Sequence, residues 1–218
     1  PRSPLFPYTT LFRSRPPLSA SPAWALDEVY CGRSRAEKLT QIRRLLSDRK
    51  ADVLLLSSLD DIAWLMNLRG DDVEYNPVVL SYALITPASA ILYANRVVFS
   101  EYMVRDLERD GVTLRPYDRI YQDLKALGSE DKVLLDKGRV NYAICRTLEK
   151  MGALIDEMNP TTQMKAVKNP VELDNLRRSH LKDGVAFTHF MYWLKTQVGK
   201  MPITELSASD YLEARRRE

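Results

Sequence analysis

78-VVLSYALITPASAILYA-94 holds two apolar runs, Val78–Ile85 and Ala90–Ala94, around the short polar turn Thr86-Pro87-Ala88-Ser89. That pattern predicts a β-hairpin. Working outward, Val53-Leu54-Leu55-Leu56 is a continuous apolar run of the kind expected for a strand covered on both faces. Downstream the chain alternates. A helix around 100–110 precedes the strand 112–117, a helix over 118–127 precedes the strand 132–136, and a helix near 141–151 precedes the strand 153–158. Strands separated by helices of this length imply an α/β fold with helical cover, and the hairpin makes the sheet mixed.

The flanks read differently. Residues 1–14, PRSPLFPYTTLFRS, lack helical or strand periodicity and resemble translated sequencing adapter, so they are expected to be non-native. Residues 15–34 are proline-rich and aperiodic, as in an interdomain linker or extended arm. Ser34 and Glu37 then have capping-box spacing, followed by the stripe Leu39, Ile42, Leu45 and Leu46. Near residue 160 the pattern turns helical only. Asn169-Pro170-Val171-Glu172 carries three helix-start signals. Leu173, Leu176, His180, Gly184, Phe187, Met191 and Leu194 recur at intervals of three and four as one apolar face. A domain of 35–160 followed by the beginning of a second over 161–218 is the expected division. The helical spacing of LSASDYLEARRRE runs to residue 218 without a C-cap glycine, which marks the chain as an expected fragment.

Composition narrows the function classes. With 32 basic and 29 acidic residues and a net charge of +3, the well-mixed chain has no electrostatic footprint for nucleic acid or an anionic membrane. No apolar run approaches the roughly 20 residues that span a bilayer. The absence of a signal-peptide pattern points to the cytoplasm. Cys31 and Cys145 lie far apart with no C-x-x-C spacing, so two reduced packing cysteines are expected rather than a disulfide framework or a zinc knuckle.

Few groups could carry chemistry. The chain has two histidines, and at 100° per residue the nine-residue separation of His180 and His189 puts them on opposite sides of a helix. They cannot share an ion; His180, on the apolar face, reads as a satisfied core residue and His189 as exposed. No G-x-S-x-G, H-E-x-x-H, P-loop or dinucleotide glycine motif occurs. The remaining cluster is acidic: Asp60, Asp61, Asp71, Asp72 and Glu74 within 59-LDDIAWLMNLRGDDVEYNP-77. Asp60 and Asp61 after Ser58 suit the first turn of a short helix, and Arg69-Gly70-Asp71-Asp72 reads as a turn in which Gly70 supplies backbone freedom. An EF-hand reading fails on spacing. Capping with turn chemistry, or a functional loop, both remain open.

Three stretches, 59-LDDIAWLMNLRGDDVEYNPVVLSY-82, 165-KAVKNPVELDNLRRSHLKDGVAFTHFMYWLK-195 and 204-TELSASDYLEARRR-217, resemble aminopeptidase P, the Xaa-Pro aminopeptidase family of the creatinase and methionine-aminopeptidase superfamily. The proline-rich 15–39 also resembles the join between first and second domains in the three-domain members.

The resemblance implies a creatinase N-terminal-like middle domain over 35–160. The first helices of an α+β pita-bread catalytic domain, truncated at 218, would follow. It implies a parent that releases the N-terminal residue from peptides with proline second, working as a homodimer with two divalent metal ions, usually manganese. Such a pair generates a hydroxide nucleophile near neutral pH. The family's ligands, two aspartates, a histidine and two glutamates, lie downstream of the resembling stretches. No catalytic or metal residue is therefore carried over, and this chain is expected to hold no ion and to be inactive alone. Relatives' N-terminal domains help wall the substrate cleft, so Arg69, Asp71, Asp72, Tyr75 and Asn76 are candidates for a cleft-rim loop. Arg69 would pair with a carboxylate of substrate or partner subunit, or else with Asp71 or Asp72 in a solvated turn. The competing class is a non-catalytic pseudopeptidase-type binding module of the same fold.

Overall fold

A computed structural model describes residues 17–128, 130–152 and 154–218. The expected adapter segment 1–14, and Ala153 of the expected last strand, lie outside the described residues. The chain divides into two units. The first contains the described residues to Asp27 together with 33–167; the second contains 28–32 and 168–218.

In the first unit, β1 (Trp24–Ala25) precedes α2 (Arg35–Asp48), β2 (Val53–Leu56), α3 (Leu59–Met66) and β3 (Leu68–Arg69); α1 (Glu28–Cys31) belongs to the second unit. The hairpin strands are β4 (Ser81–Ile85) and β5 (Ala90–Ala94). Then come α4 (Glu101–Arg109), β6 (Val112–Pro116), α5 (Ile120–Asp123), β7 (Val133–Leu135), α6 (Tyr142–Met151), β8 (Leu154–Asp156) and α7 (Pro160–Ala166). Six strands form one sheet in the order β6-β5-β4-β2-β7-β8. β4 is antiparallel to both β2 and β5, while the β5–β6, β2–β7 and β7–β8 pairs are parallel. One reversed strand in an otherwise parallel sheet is the consequence of the hairpin. Its turn is held by Thr86: the main-chain N–H donates to Ser89 O (2.8 Å) and the hydroxyl accepts from Ser89 N (2.9 Å).

Because strand side chains alternate, the sheet has two packed faces. Leu54, Leu56, Ala83, Ile85, Leu92 and Leu134 meet Leu39, Ile42 and Leu46 of α2, Ile62 and Leu65 of α3, and Met103 and Leu107 of α4. On the other face Val53, Leu55, Tyr82, Leu84, Tyr93, Val133 and Leu135 meet Ile120, Leu124, Ile144 and Leu148. This is the mixed α/β sheet with helical cover that the alternating pattern predicts, and Val53–Leu56 is buried along its whole length.

Several expectations need correction. The helix predicted over 118–127 is a succession of 3-10 turn (Tyr117–Arg119), α5 and 3-10 turn (Leu124–Ala126). Ile120 and Leu124 are both buried there, while Asp123 is held by the Tyr93 hydroxyl (2.9 Å) and Arg115 (2.6 Å). The aperiodic stretch 15–34 also carries structure: β1 pairs with β3, Ala23 N–H donates to Val98 O (2.8 Å), and α1 (Glu28–Cys31) forms a helical turn. Local periodicity cannot report such elements, because their partners lie 40 to 140 residues away. Finally, Gly70 does not adopt a left-handed backbone. An added Cβ would lie 2.7 Å from Val79 Cγ2 and 3.2 Å from Val78 O, so close approach is what requires glycine there.

The second unit is built on α8 (Pro170–Gln197), followed by α9 (Glu205–Arg216). Asn169 and Glu172 form the predicted capping box, and Asn169 Nδ2 also donates to Cys31 O (2.8 Å). Asn175 Nδ2 donates to Val29 O (3.0 Å), so α1 is clipped to the start of α8. α9 meets α8 through the Trp193–Tyr211 ring stack, 4.1 Å between centroids, and the Arg216–Asp183 ion pair at 2.7 Å. At 100° per residue, Ala186 and Trp193 lie about 120–140° from the centre of the stripe read from periodicity, and Asp183 about 60°. His180, expected in a core, is exposed. Its stripe is not the one α9 covers. Both cysteines are free, as expected.

Candidate functional site

The acidic stretch forms α3, β3 and a loop over 70–80, and the geometry separates its residues sharply. α3 is eight residues long, too short to hold itself, and its C-terminal carbonyls need donors. Three cationic side chains supply them. Arg69 Nη1 donates to Ala63 O (2.9 Å), Lys38 Nζ to Trp64 O (2.8 Å) and Arg35 Nε to Met66 O (2.9 Å). Positive charge at a helix C-terminus is also favoured by the helix dipole. Lys38 is fully buried, 0% exposed; its ammonium also donates to Asn67 Oδ1 (2.7 Å) and sits 4.4 Å from the centre of the Trp64 ring. Asn67 ends the helix in the left-handed region at φ 52°, which asparagine tolerates better than most residues. Arg35 continues from Met66 to Asp106 and Asp110, at 3.2 and 2.7 Å.

Arg69 Nη1 donates as well to Leu68 O (2.8 Å). Both of these bonds go to main-chain carbonyls of the loop's own mount. Beyond it the loop is closed by its backbone and two carboxylates. Asp72 N–H donates to Val78 O (3.2 Å), and Asp72 Oδ2 accepts from Leu80 N (2.7 Å). Asn76 N–H donates to Val73 O (3.1 Å), Val78 N–H to Asn76 O (2.8 Å) across Pro77, and Asn76 Nδ2 to Asp60 Oδ1 (3.4 Å). This leaves Asp71 exposed and Tyr75 98% exposed, with Tyr75 at φ 61°, a strained backbone for a bulky side chain. Of the five residues read as a rim, Arg69 and Asp72 hold the loop's shape, Asp71 and Tyr75 face outward, and Asn76 does some of each.

The first-turn aspartates part company too. Asp60 is exposed, and Ser58 occupies the N-cap position without a side-chain capping bond. Asp61 is 2% exposed, and its carboxylate meets Lys165 Nζ (2.9 Å), Thr162 Oγ1 (3.2 Å) and Asn159 Nδ2 (3.3 Å). Capping does not describe it. Lys38 and Arg35 are not singled out by the sequence, and Asp61 reads there only as a first-turn residue, since a charged residue on a predicted helix carries no mark of burial. Among the described residues no group of three or more His, Cys, Asp or Glu side chains could hold a metal ion.

A second polar cluster lies on the opposite face of the sheet. Tyr82, Tyr121 and Asn141 are joined by Asn141 Nδ2 donating to the two hydroxyls at 3.0 and 3.2 Å. Burial and the neighbouring Tyr117 push the Tyr82 hydroxyl above its ordinary range. Burial also acts on Asp123, but hydrogen bonds from Arg115, Tyr93 and Arg119 outweigh it and hold that carboxyl below the usual range. These groups join strands to helices.

Known proteins share this architecture. The chain is 37% identical over 215 residues to the "Probable Xaa-Pro aminopeptidase P" of Chaetomium globosum, covering 93% of this chain and 34% of that protein. The protein of the same name from Aspergillus flavus is 37% identical over 196 residues, covering 85% of this chain and 30% of its own length. The chain thus spans about a third of the length of the curated relatives it matches. Among solved structures, the X-prolyl aminopeptidase of Caenorhabditis elegans, described as a cytosolic enzyme with a di-nuclear active site, superposes with a TM-score of 0.88 at 25% identity. That alignment covers 96% of this chain and 35% of the enzyme. An X-Pro aminopeptidase from Thermotoga maritima shares the fold, with a TM-score of 0.56 at 18% identity over 82% of this chain and 48% of its own. Residues 14–172, well over half the chain, match the creatinase/prolidase N-terminal domain, and the chain belongs to that family.

Proposed function

We propose that this chain is the creatinase-type domain, with the opening helices of the catalytic domain, of an Xaa-Pro aminopeptidase. The observation that carries the reading is its extent. Similarity at 37% runs over 93% of the chain, and the superposition on the worm enzyme runs over 96%. Residues 15–34 are then the interdomain linker, 35–160 the middle domain and 161–218 the start of the pita-bread domain. The whole protein releases the N-terminal residue from peptides with proline second, as a cytoplasmic homodimer. Two divalent ions, manganese in this reading, supply an activated hydroxide when bound. This chain's described residues offer no donor set for them. Its own part is to shape the cleft.

In that role the loop over 69–76 is the cleft rim. Asp71, Tyr75 and Asn76 present the contact surface, while Arg69 and Asp72 keep its shape. Among the described residues no helix is long and apolar enough to cross a membrane. The test has two arms. The purified chain with added Mn²⁺ is expected not to cleave an Xaa-Pro peptide; cleavage would overturn the assigned role. Sequencing the source DNA beyond codon 218 is expected to reveal two aspartates, a histidine and two glutamates in family order. A continuing frame with those positions replaced would instead make the protein a binding module of this fold.

A further inference from the structure

Asp61 spends its carboxylate in an unusual way. It stands third in α3, where an acidic side chain ordinarily reaches back to the free N–H groups of its own helix. Its contacts instead all go to one distant segment: Asn159 Nδ2 at 3.3 Å, Thr162 Oγ1 at 3.2 Å and Lys165 Nζ at 2.9 Å. That segment is α7 with its N-cap residue. It is seven residues long, shorter than a helix that persists alone. Pro160 and Thr161 are its buried residues, and Met164 is the partly buried apolar side chain it packs on the core.

A buried ion pair is a weak source of stability, because an apolar replacement of similar volume often serves as well. What a charged, hydrogen-bonded contact adds is a single geometry. Both elements joined here lead somewhere. α3 runs into Arg69 and the loop over 70–80, and α7 runs within two residues into Lys168, where the second unit begins. We infer that Asp61 is a positioning residue for the proposed peptidase. By docking α7 on α3, it fixes the start of the rim loop and the exit of the chain from the first unit in one frame. This rests on the reading of the loop as a cleft rim.

The experiment uses two variants, Asp61→Asn and Lys165→Met, which remove the ion pair from opposite sides without changing the apolar core. In this chain, amide exchange over 162–166 should quicken at least about tenfold in both, the effect of losing one ion pair to a buried carboxylate. Exchange in β2 and β4 should stay as it was, which shows that the domain is still folded. In the whole enzyme both variants should raise KM for an Xaa-Pro peptide by about tenfold with kcat within about twofold. A merely structural loss would lower the active fraction, and so kcat, at constant KM. Unchanged exchange over 162–166 would overturn the docking. Quickened exchange with unchanged KM would overturn the positioning role and leave the domain's assignment standing. A whole enzyme that is inert toward Xaa-Pro peptides before any substitution would overturn that assignment itself.

Discussion

Gly32→Ala should unfasten the joint between α1 and α8, and the neighbouring atoms set the size of the effect. Gly32 lies at φ +66°, and an added Cβ would fall 2.5 Å from Asn169 Oδ1 and 2.7 Å from Val171 Cβ. A left-handed backbone costs a non-glycine residue about 1–2 kcal/mol. Relieving the clash with Asn169 then requires its side chain to swing away, while the contact with Val171 Cβ yields only to a backbone shift that adds to the cost. The swing breaks the cap to Glu172 N (3.0 Å), a loss of about 1 kcal/mol, and the bond to Cys31 O (2.8 Å), about another 1 kcal/mol. The joint should weaken by at least about 3–4 kcal/mol, which is upward of a hundredfold in amide exchange at Glu172 and Leu173. Gly199 provides the control within the same unit. It sits at φ +81° with nothing within 4 Å of an added Cβ, so Gly199→Ala carries the backbone cost alone, about 1–2 kcal/mol. Gly184, inside α8 with open space around it, should tolerate Ala and gain about 0.5–1 kcal/mol. The reasoning fails if Gly32→Ala perturbs exchange at Glu172 no more than Gly199→Ala does.

Three further outcomes follow from the same geometry. Arg35→Met removes four hydrogen bonds from a side chain 5% exposed. Because Asp106 and Asp110 keep 17% and 21% of their exposure and can rehydrate, the loss should be about 2–3 kcal/mol rather than the full cost of orphaning a buried charge. Urea unfolding reads it, and Arg35→Lys should fail to rescue, since an ammonium cannot span Met66 O and two carboxylates; full rescue by lysine would refute the fork. Asp123 has a folded pKa lowered from 3.8, so its contribution is complete well above that value and is lost as pH falls through the lowered pKa. Asp123→Asn should therefore flatten the acid limb of the stability–pH curve, and an unchanged limb would contradict the assignment. Gly70→Ala, driven onto Val79 Cγ2 at 2.7 Å, should cost about 1–3 kcal/mol by thermal unfolding, and neutrality would mean the loop yields freely.

Sequence patterns carried the fold a long way. The hairpin, the buried run Val53–Leu56, the helices capped by Ser34 and Asn169, and the mixed α/β class all rest on neighbours within a few residues, and local chemistry expresses them directly. The family resemblance was legible for a similar reason: long contiguous stretches carry it. The candidate site was legible only as a location. Lys38, Arg35, Arg69 and Asp61 look alike on paper as charged residues in or beside helices. Their burial and their partners, 26 to 104 residues distant or folded back onto α3, follow from how α2, α4 and α7 close around α3. β1, α1 and the true packing stripe of α8 were hidden for the same reason. The sequence by itself determined the hairpin, the buried run Val53–Leu56 and the capped starts of α2 and α8, because those depend on short-range periodicity and capping chemistry. Only the tertiary structure decided which charges are buried, what they hold and which loop residues stay free to touch a ligand, because those depend on contacts that exist once the chain has closed.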